Sequence, residues 1–150
     1  MNPINILREP RTYLLKLINE LTTEQLNKVP DGYNNNIIWN LGHMIAAQQG
    51  ICYKRSGLDI VVWEGLFEDY KSGTKPQRFV NDEEIAAIKE QLLTTLDRFE
   101  ADLDSGVFAK YEPVMTRYGV ELTSIEEAIA FLPFHDGFHM GYILALKRAV

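Results

Sequence analysis

Apolar positions recur at intervals of three and four over four stretches of the chain, the spacing that lines one face of an α-helix. The clearest stretch runs from about Asp82 to Asp104. There Ile85, Ile88, Leu92, Leu96, Phe99 and Leu103 form the stripe, and Asn81 and Glu84 have N-cap and N3 spacing. Near the start, Leu14, Leu17, Ile18 and Leu21 predict a helix beginning near Pro10, since a first turn has no use for the N–H that proline lacks. Thr22 and Gln25 are spaced as a capping box, so one more short helical turn is expected before "VPDGY" breaks the chain. The next helix is expected from about Asn36 to Arg55, with Asn35 or Asn36 as cap and Gly57 as terminator. Ile38, Leu41, Ile45 and Cys52 follow one of its sides. The last begins after Thr123 or Ser124, each followed three residues later by a glutamate, and continues close to the C-terminus.

Two irregular connections separate these helices. Gly57 to Val80 is long and aromatic, and connections of that length often carry function or short structure of their own. The second, Val107 to Leu122, contains "VMTRYGVEL", which reads as a small β-hairpin turning near Gly119. The pattern predicts an all-α protein, a four-helix bundle in a single domain over residues 1–150.

Composition narrows the functional classes. The formal net charge is −6, and the densest basic cluster is only Tyr53-Lys54-Arg55, so the chain lacks the basic surface that neutralises phosphates and nucleic acid is not expected as a partner. No run of about 18 apolar residues is present, so no membrane span is expected. The single cysteine, Cys52, excludes an internal disulfide. With an N-terminal stretch that lacks a signal-peptide pattern, this points to the cytoplasm.

Chemistry concentrates in "FHDGFHMGY", Phe134 to Tyr142, which holds His135 and His139. Residues four apart on a helix project from the same face, so two imidazoles so placed can meet one metal ion. The segment is not a zincin motif, because Asp136 stands where that motif has glutamate. A third ligand has to come from elsewhere, and His43 is the one remaining histidine, mid-way along the second long helix beside the small residues Gly42, Ala46 and Ala47. Cys52, nine residues on, points roughly opposite. Three neutral imidazoles would form an open, catalytic type of site. The same residues also fit a plain reading, in which each histidine is a hydrogen-bonded core residue of a packed bundle.

The two segments together resemble the DinB-like (DinB/YfiT-like) metalloenzyme superfamily. "NNNIIWNLGHMIAAQQGICYKRSGL" is similar to its second-helix motif and "SIEEAIAFLPFHDGFHMGYILALKR" to its final-helix motif; the stretch "YKSGTKP" belongs to the same likeness. The resemblance implies a four-helix bundle with His43, His135 and His139 as ligands of a divalent metal, Zn²⁺ or Ni²⁺. It also implies a homodimer and a small-molecule substrate. Characterised members include S-transferases and isomerases that use a low-molecular-weight thiol, so a thiol-dependent S-transferase or a metal-assisted hydrolase is expected. The alternative is a non-catalytic dimeric module with a cavity for a small molecule or a surface for a partner.

Asp136 and Tyr142 are the candidate catalytic side chains. Asp136 adjoins His135, where it either orients an imidazole and serves as a base, or faces solvent as an ordinary acid. Tyr142 lies two turns beyond His135 and either donates into the site or packs. Trp39, one turn before His43, walls the pocket or fills the core. Gln48 and Gln49 reach either the bundle centre or solvent. Trp63, Phe67 and Tyr70 lid the site or cover an interface. Gly137 and Gly141 each lower helix propensity by about 1 kcal/mol relative to alanine, which points to a close approach on that face. Pro133 is expected to kink or restart the last helix.

Overall fold

A computed structural model describes residues 2–150. Helix α1 (Asn5–Leu17) is followed by the short α2 (Thr23–Asn27), the central α3 (Ile37–Gln48), a short α4 (Glu64–Tyr70) and the long α5 (Asp82–Asp104). A two-stranded antiparallel hairpin, β1 (Val114–Met115) and β2 (Glu121–Leu122), precedes α6 (Ile125–Ala149). The four longest helices, α1, α3, α5 and α6, make the bundle. Helix α3 packs on α4, α5 and α6, and α1 on α5 and α6. No helix among the described residues is long and apolar enough to cross a membrane.

The helix ends follow from local chemistry. Asn81 Oδ1 accepts from the Glu84 N–H at 2.9 Å, and Asp82, Glu83 and Glu84 place negative charge at the positive end of the α5 dipole. Ile85, Ile88, Leu92, Leu96 and Phe99 then bury the predicted stripe, each such side chain contributing roughly 1.5–3 kcal/mol. Thr22 and Gln25 form the expected capping box on α2. Asn36 caps α3 and Ser124 caps α6. The hairpin turns through Thr116–Gly119, where the Gly119 N–H donates to the Thr116 carbonyl at 3.0 Å and Gly119 takes φ +77°.

Four expectations need correction. Helix α1 begins at Asn5, not near Pro10, because Ile4 and Leu7 extend the buried face one further turn and outweigh the hydrogen bond that Pro10 forgoes inside the helix. Helix α3 is buried almost all round, not along one side, because α2, α4, α5 and α6 all pack against it. It then widens into a π-helical turn, Gln49–Tyr53, and tightens into a 3-10 turn, Lys54–Ser56, before Gly57 ends it in the left-handed conformation. Helix α6 runs through Pro133 without interruption. Gly137 and Gly141 lie on its exposed face with nothing within 4 Å of where a Cβ would stand, so neither marks a close approach. The glycine that does is Gly42, where a methyl would overlap the ring of Tyr70 and push α4 off α3.

Candidate metal centre

His43, at the middle of α3, and His135 and His139, one turn apart on α6, converge where the two helices face each other. Ring centroids are 5.2 Å apart for His43–His135, 4.7 Å for His43–His139 and 4.5 Å for His135–His139. One nitrogen from each ring lies within 4.8 Å of the others. All three side chains are buried, 7% exposed.

Two of the rings are oriented by the protein. His43 Nδ1 donates to the Tyr70 carbonyl at 2.7 Å. A carbonyl only accepts, so Nδ1 carries the proton and Nε2 keeps its lone pair. His139 Nδ1 donates to Asn40 Oδ1 at 2.8 Å. The Asn40 amide is held in that sense because its Nδ2 donates to the Asn36 carbonyl at 2.8 Å and to Asn35 Oδ1 at 2.9 Å. His135 differs, since its buried Nδ1 has no hydrogen-bond partner. Trp39 stacks on His43 with the rings 4.7 Å apart and 9° from parallel, and its Nε1 donates to Thr74 Oγ1 at 3.1 Å.

Burial favours the neutral imidazole. It pushes His135 and His139 from 6.5 down to about 3, helped by the neighbouring rings and, at His139, by Arg117. Burial also lowers His43, partly offset by its bond to Tyr70. Three neutral rings, two with a lone pair freed by a partner and one with an unsatisfied buried nitrogen, form a donor set that fits a divalent cation. The cluster opens on a cavity of about 980 Å³ lined in part by Trp39, Phe67, Phe131, Phe138 and Tyr142.

A family model of the DinB superfamily matches residues 6–143. The chain belongs to the DinB superfamily. Comparison with curated proteins finds no match. In this DinB-superfamily chain the buried three-histidine cluster is compatible with binding a divalent metal.

Other expected residues take places the sequence left open or misjudged. Asp136 is buried, not solvent-facing, and both its oxygens meet Arg11: Nε donates to Oδ2 at 2.7 Å and Nη2 to Oδ1 at 3.3 Å. Burial pushes its carboxyl up, and the Arg11 guanidinium works against that. It is thus a fastening group rather than a free base. Gln48 points to the bundle centre, where its Oε1 accepts from Arg11 at 3.0 Å, while Gln49 is buried with its Oε1 on the Val61 N–H. Of the three loop aromatics, Phe67 reaches the cavity, Tyr70 covers Gly42 and supplies the carbonyl on His43, and Trp63 is exposed and does not line the cavity. Cys52 sits in the apolar cluster around Tyr53 and Phe99, its thiol pushed up by burial.

Asn40 and Arg11 were not singled out from the sequence as parts of the site or its support, and Tyr70 was expected as a lid or an interface cover, not as the partner of His43. Asn40 had a signal, being the one amide inside "IIWNLGHMIAA", one turn before His43. The role of Tyr70 runs through its backbone carbonyl, for which the sequence carries no signal.

Proposed function

We propose that this chain is a metal-dependent enzyme acting on a small molecule, with His43, His135 and His139 holding Zn²⁺ or Ni²⁺. The carrying observation is that three neutral imidazoles, with two ring orientations set by Asn40 and the Tyr70 carbonyl, face a ligand-sized cavity. When bound, such an ion supplies Lewis acidity, which brings a coordinated thiol or water to its nucleophilic form near neutral pH. The protein's own part is positional. Asn40 and the Tyr70 carbonyl fix two ring tautomers, Trp39 and Phe131 keep water from one side, and the Tyr142 phenol on the cavity wall is a hydrogen-bond donor toward a bound molecule. Transfer of a thiol to an electrophile is the preferred chemistry, following the superfamily resemblance, with hydrolysis second.

Elemental analysis of protein purified without an affinity tag tests the metal. Zinc or nickel at one per chain is expected, together with its loss in His135→Ala/His139→Ala. Unchanged occupancy in that double variant would sink the proposal. Turnover of an electrophile with low-molecular-weight thiols, abolished by chelation, tests the chemistry.

A further inference from the structure

The charge around the cavity is opposite to that of the chain. Of the 15 lysines and arginines four line it, Lys54, Arg55, Lys71 and Arg117, against one of the 21 acidic residues, Glu112. They come from three separate parts of the fold. Lys54 and Arg55 extend from the end of α3, Lys71 follows α4, and Arg117 stands on the tip of the hairpin. Composition alone would put an acidic excess here, so the reversal is local.

The existing partners of these cations are weak. Arg55 meets the exposed Glu112 at 3.5 Å, and Lys71 pairs with Glu68 three residues away on the surface; solvent screens such exposed pairs, so they hold the cations only loosely. Lys54 Nζ lies 4.1 Å over the Phe67 ring. Arg117 forms no ion pair among the described residues. It lines the same cavity as His43 and His139. The walls of the same cavity include Trp39, Phe67, Phe131 and Phe138. A cleft with apolar walls and cations of one sign focuses its field on an anion, and guanidinium groups match carboxylate and phosphate oxygens.

We infer that the molecule this cavity takes is an organic anion, a carboxylate or phosphate carried on an apolar body. The oxyanion meets Arg117 and Lys54 at the rim and the body lies against the aromatic wall. The inference rests on the reading that the cavity is the substrate site, but its test needs no metal.

Isothermal titration calorimetry of metal-free, tag-free full chain at about pH 7.5 compares 2-naphthoate, 2-naphthyl phosphate and the neutral 2-naphthamide. Both anions are expected to bind about tenfold more tightly than the amide, as one charge-assisted contact allows, with the gap closing as salt is added. Either order of carboxylate and phosphate supports the inference and says which oxyanion is read. In Arg117→Ala/Lys54→Ala the anions are expected to fall to within about twofold of an unchanged amide. Arg117→Glu, on an exposed turn, is the second variant and is expected to reduce the preference in the same direction. Equal binding of acid and amide by the unaltered chain, no binding of either anion, or an undiminished preference in both variants overturns the inference. Metal uptake measured on the same preparation separates the two readings: uptake without charge preference removes only this inference, and preference without uptake removes only the metal.

Discussion

His135 and Asp136 are neighbours on α6 and both are buried, yet they enter polar clusters of opposite character. Asp136 joins a closed network. Arg11 binds both its oxygens and also donates to Gln48 Oε1 and the Leu92 carbonyl, each at 3.0 Å, while Gln48 Nε2 donates to the Thr95 carbonyl at 3.3 Å. One guanidinium thereby ties α1, α3, α5 and α6 at a single level of the bundle. His135 joins an open cluster, with an unpartnered nitrogen and a cavity in front of it. A buried polar group without a partner is destabilising, so the first cluster has the chemistry of a fastening and the second that of a site with binding capacity to spare. The two are one residue apart, so the fastening holds the helix that presents the histidines.

Removing one member of the closed network should give the largest effect. Arg11→Ala leaves the Asp136 carboxylate buried without a counter-charge, and a loss of about 3–5 kcal/mol is expected in urea unfolding. Arg11→Met/Asp136→Leu should recover much of that loss, because both charges leave together. If the double variant is as unstable as the single, the network is not a charge pair in the sense argued here.

Gly42→Ala should come next. The added methyl meets the Tyr70 ring, and overpacking of this kind costs about 1–3 kcal/mol, visible as a lowered Tm. It should also weaken metal binding, since Tyr70 carries the carbonyl on His43. An unchanged Tm would mean that α4 is loosely seated.

Asn40→Ala addresses the open cluster, and it also removes the two bonds from Asn40 to Asn35 and Asn36 at the start of α3. It removes the acceptor on His139 and is expected to weaken Zn²⁺ or Co²⁺ binding about 10–100-fold in a competition titration. Equal affinity would show that Asn40 does not set the ring.

The first step of acidification, from about pH 7 to 6, should give the smallest effect, and the loss then grows gradually. Folded His135 and His139 resist protons down to about 3, whereas unfolded histidine accepts them near 6.5. Between these values the unfolded chain binds more protons, so stability rises with pH. The metal-free protein should hold its full stability above 6.5 and lose it as the pH falls toward 3, with a loss on the order of 1 kcal/mol already at about pH 6. A flat profile of denaturation midpoints between about pH 7 and 5 would contradict the burial of neutral rings.

Much of this was legible in the residues. The α5 stripe and its Asn81 cap, the Thr22 capping box, the Ser124 start of α6 and the hairpin at Gly119 are all local: period, caps and turn residues act within a few positions of one another. His135 and His139 share a helix face for the same reason. That His43 meets them was expected because it is the one remaining histidine and from the resemblance, since no local rule joins residues that far apart in the chain.

What the tertiary structure alone decided is the environment of each group. Asp136 reads as a surface acid until Arg11, 125 residues away in sequence, is seen against it. Gly137 and Gly141 read as contact glycines and Gly42 as one small residue among several, until packing shows solvent beside the first two and a Tyr70 ring on the third. Hydrogen-bond partners such as the Tyr70 carbonyl carry no side-chain signature. Period and capping depend on neighbours along the chain and are written in it; burial, charge pairing and ring orientation depend on which distant surfaces meet, and only the folded bundle determines that.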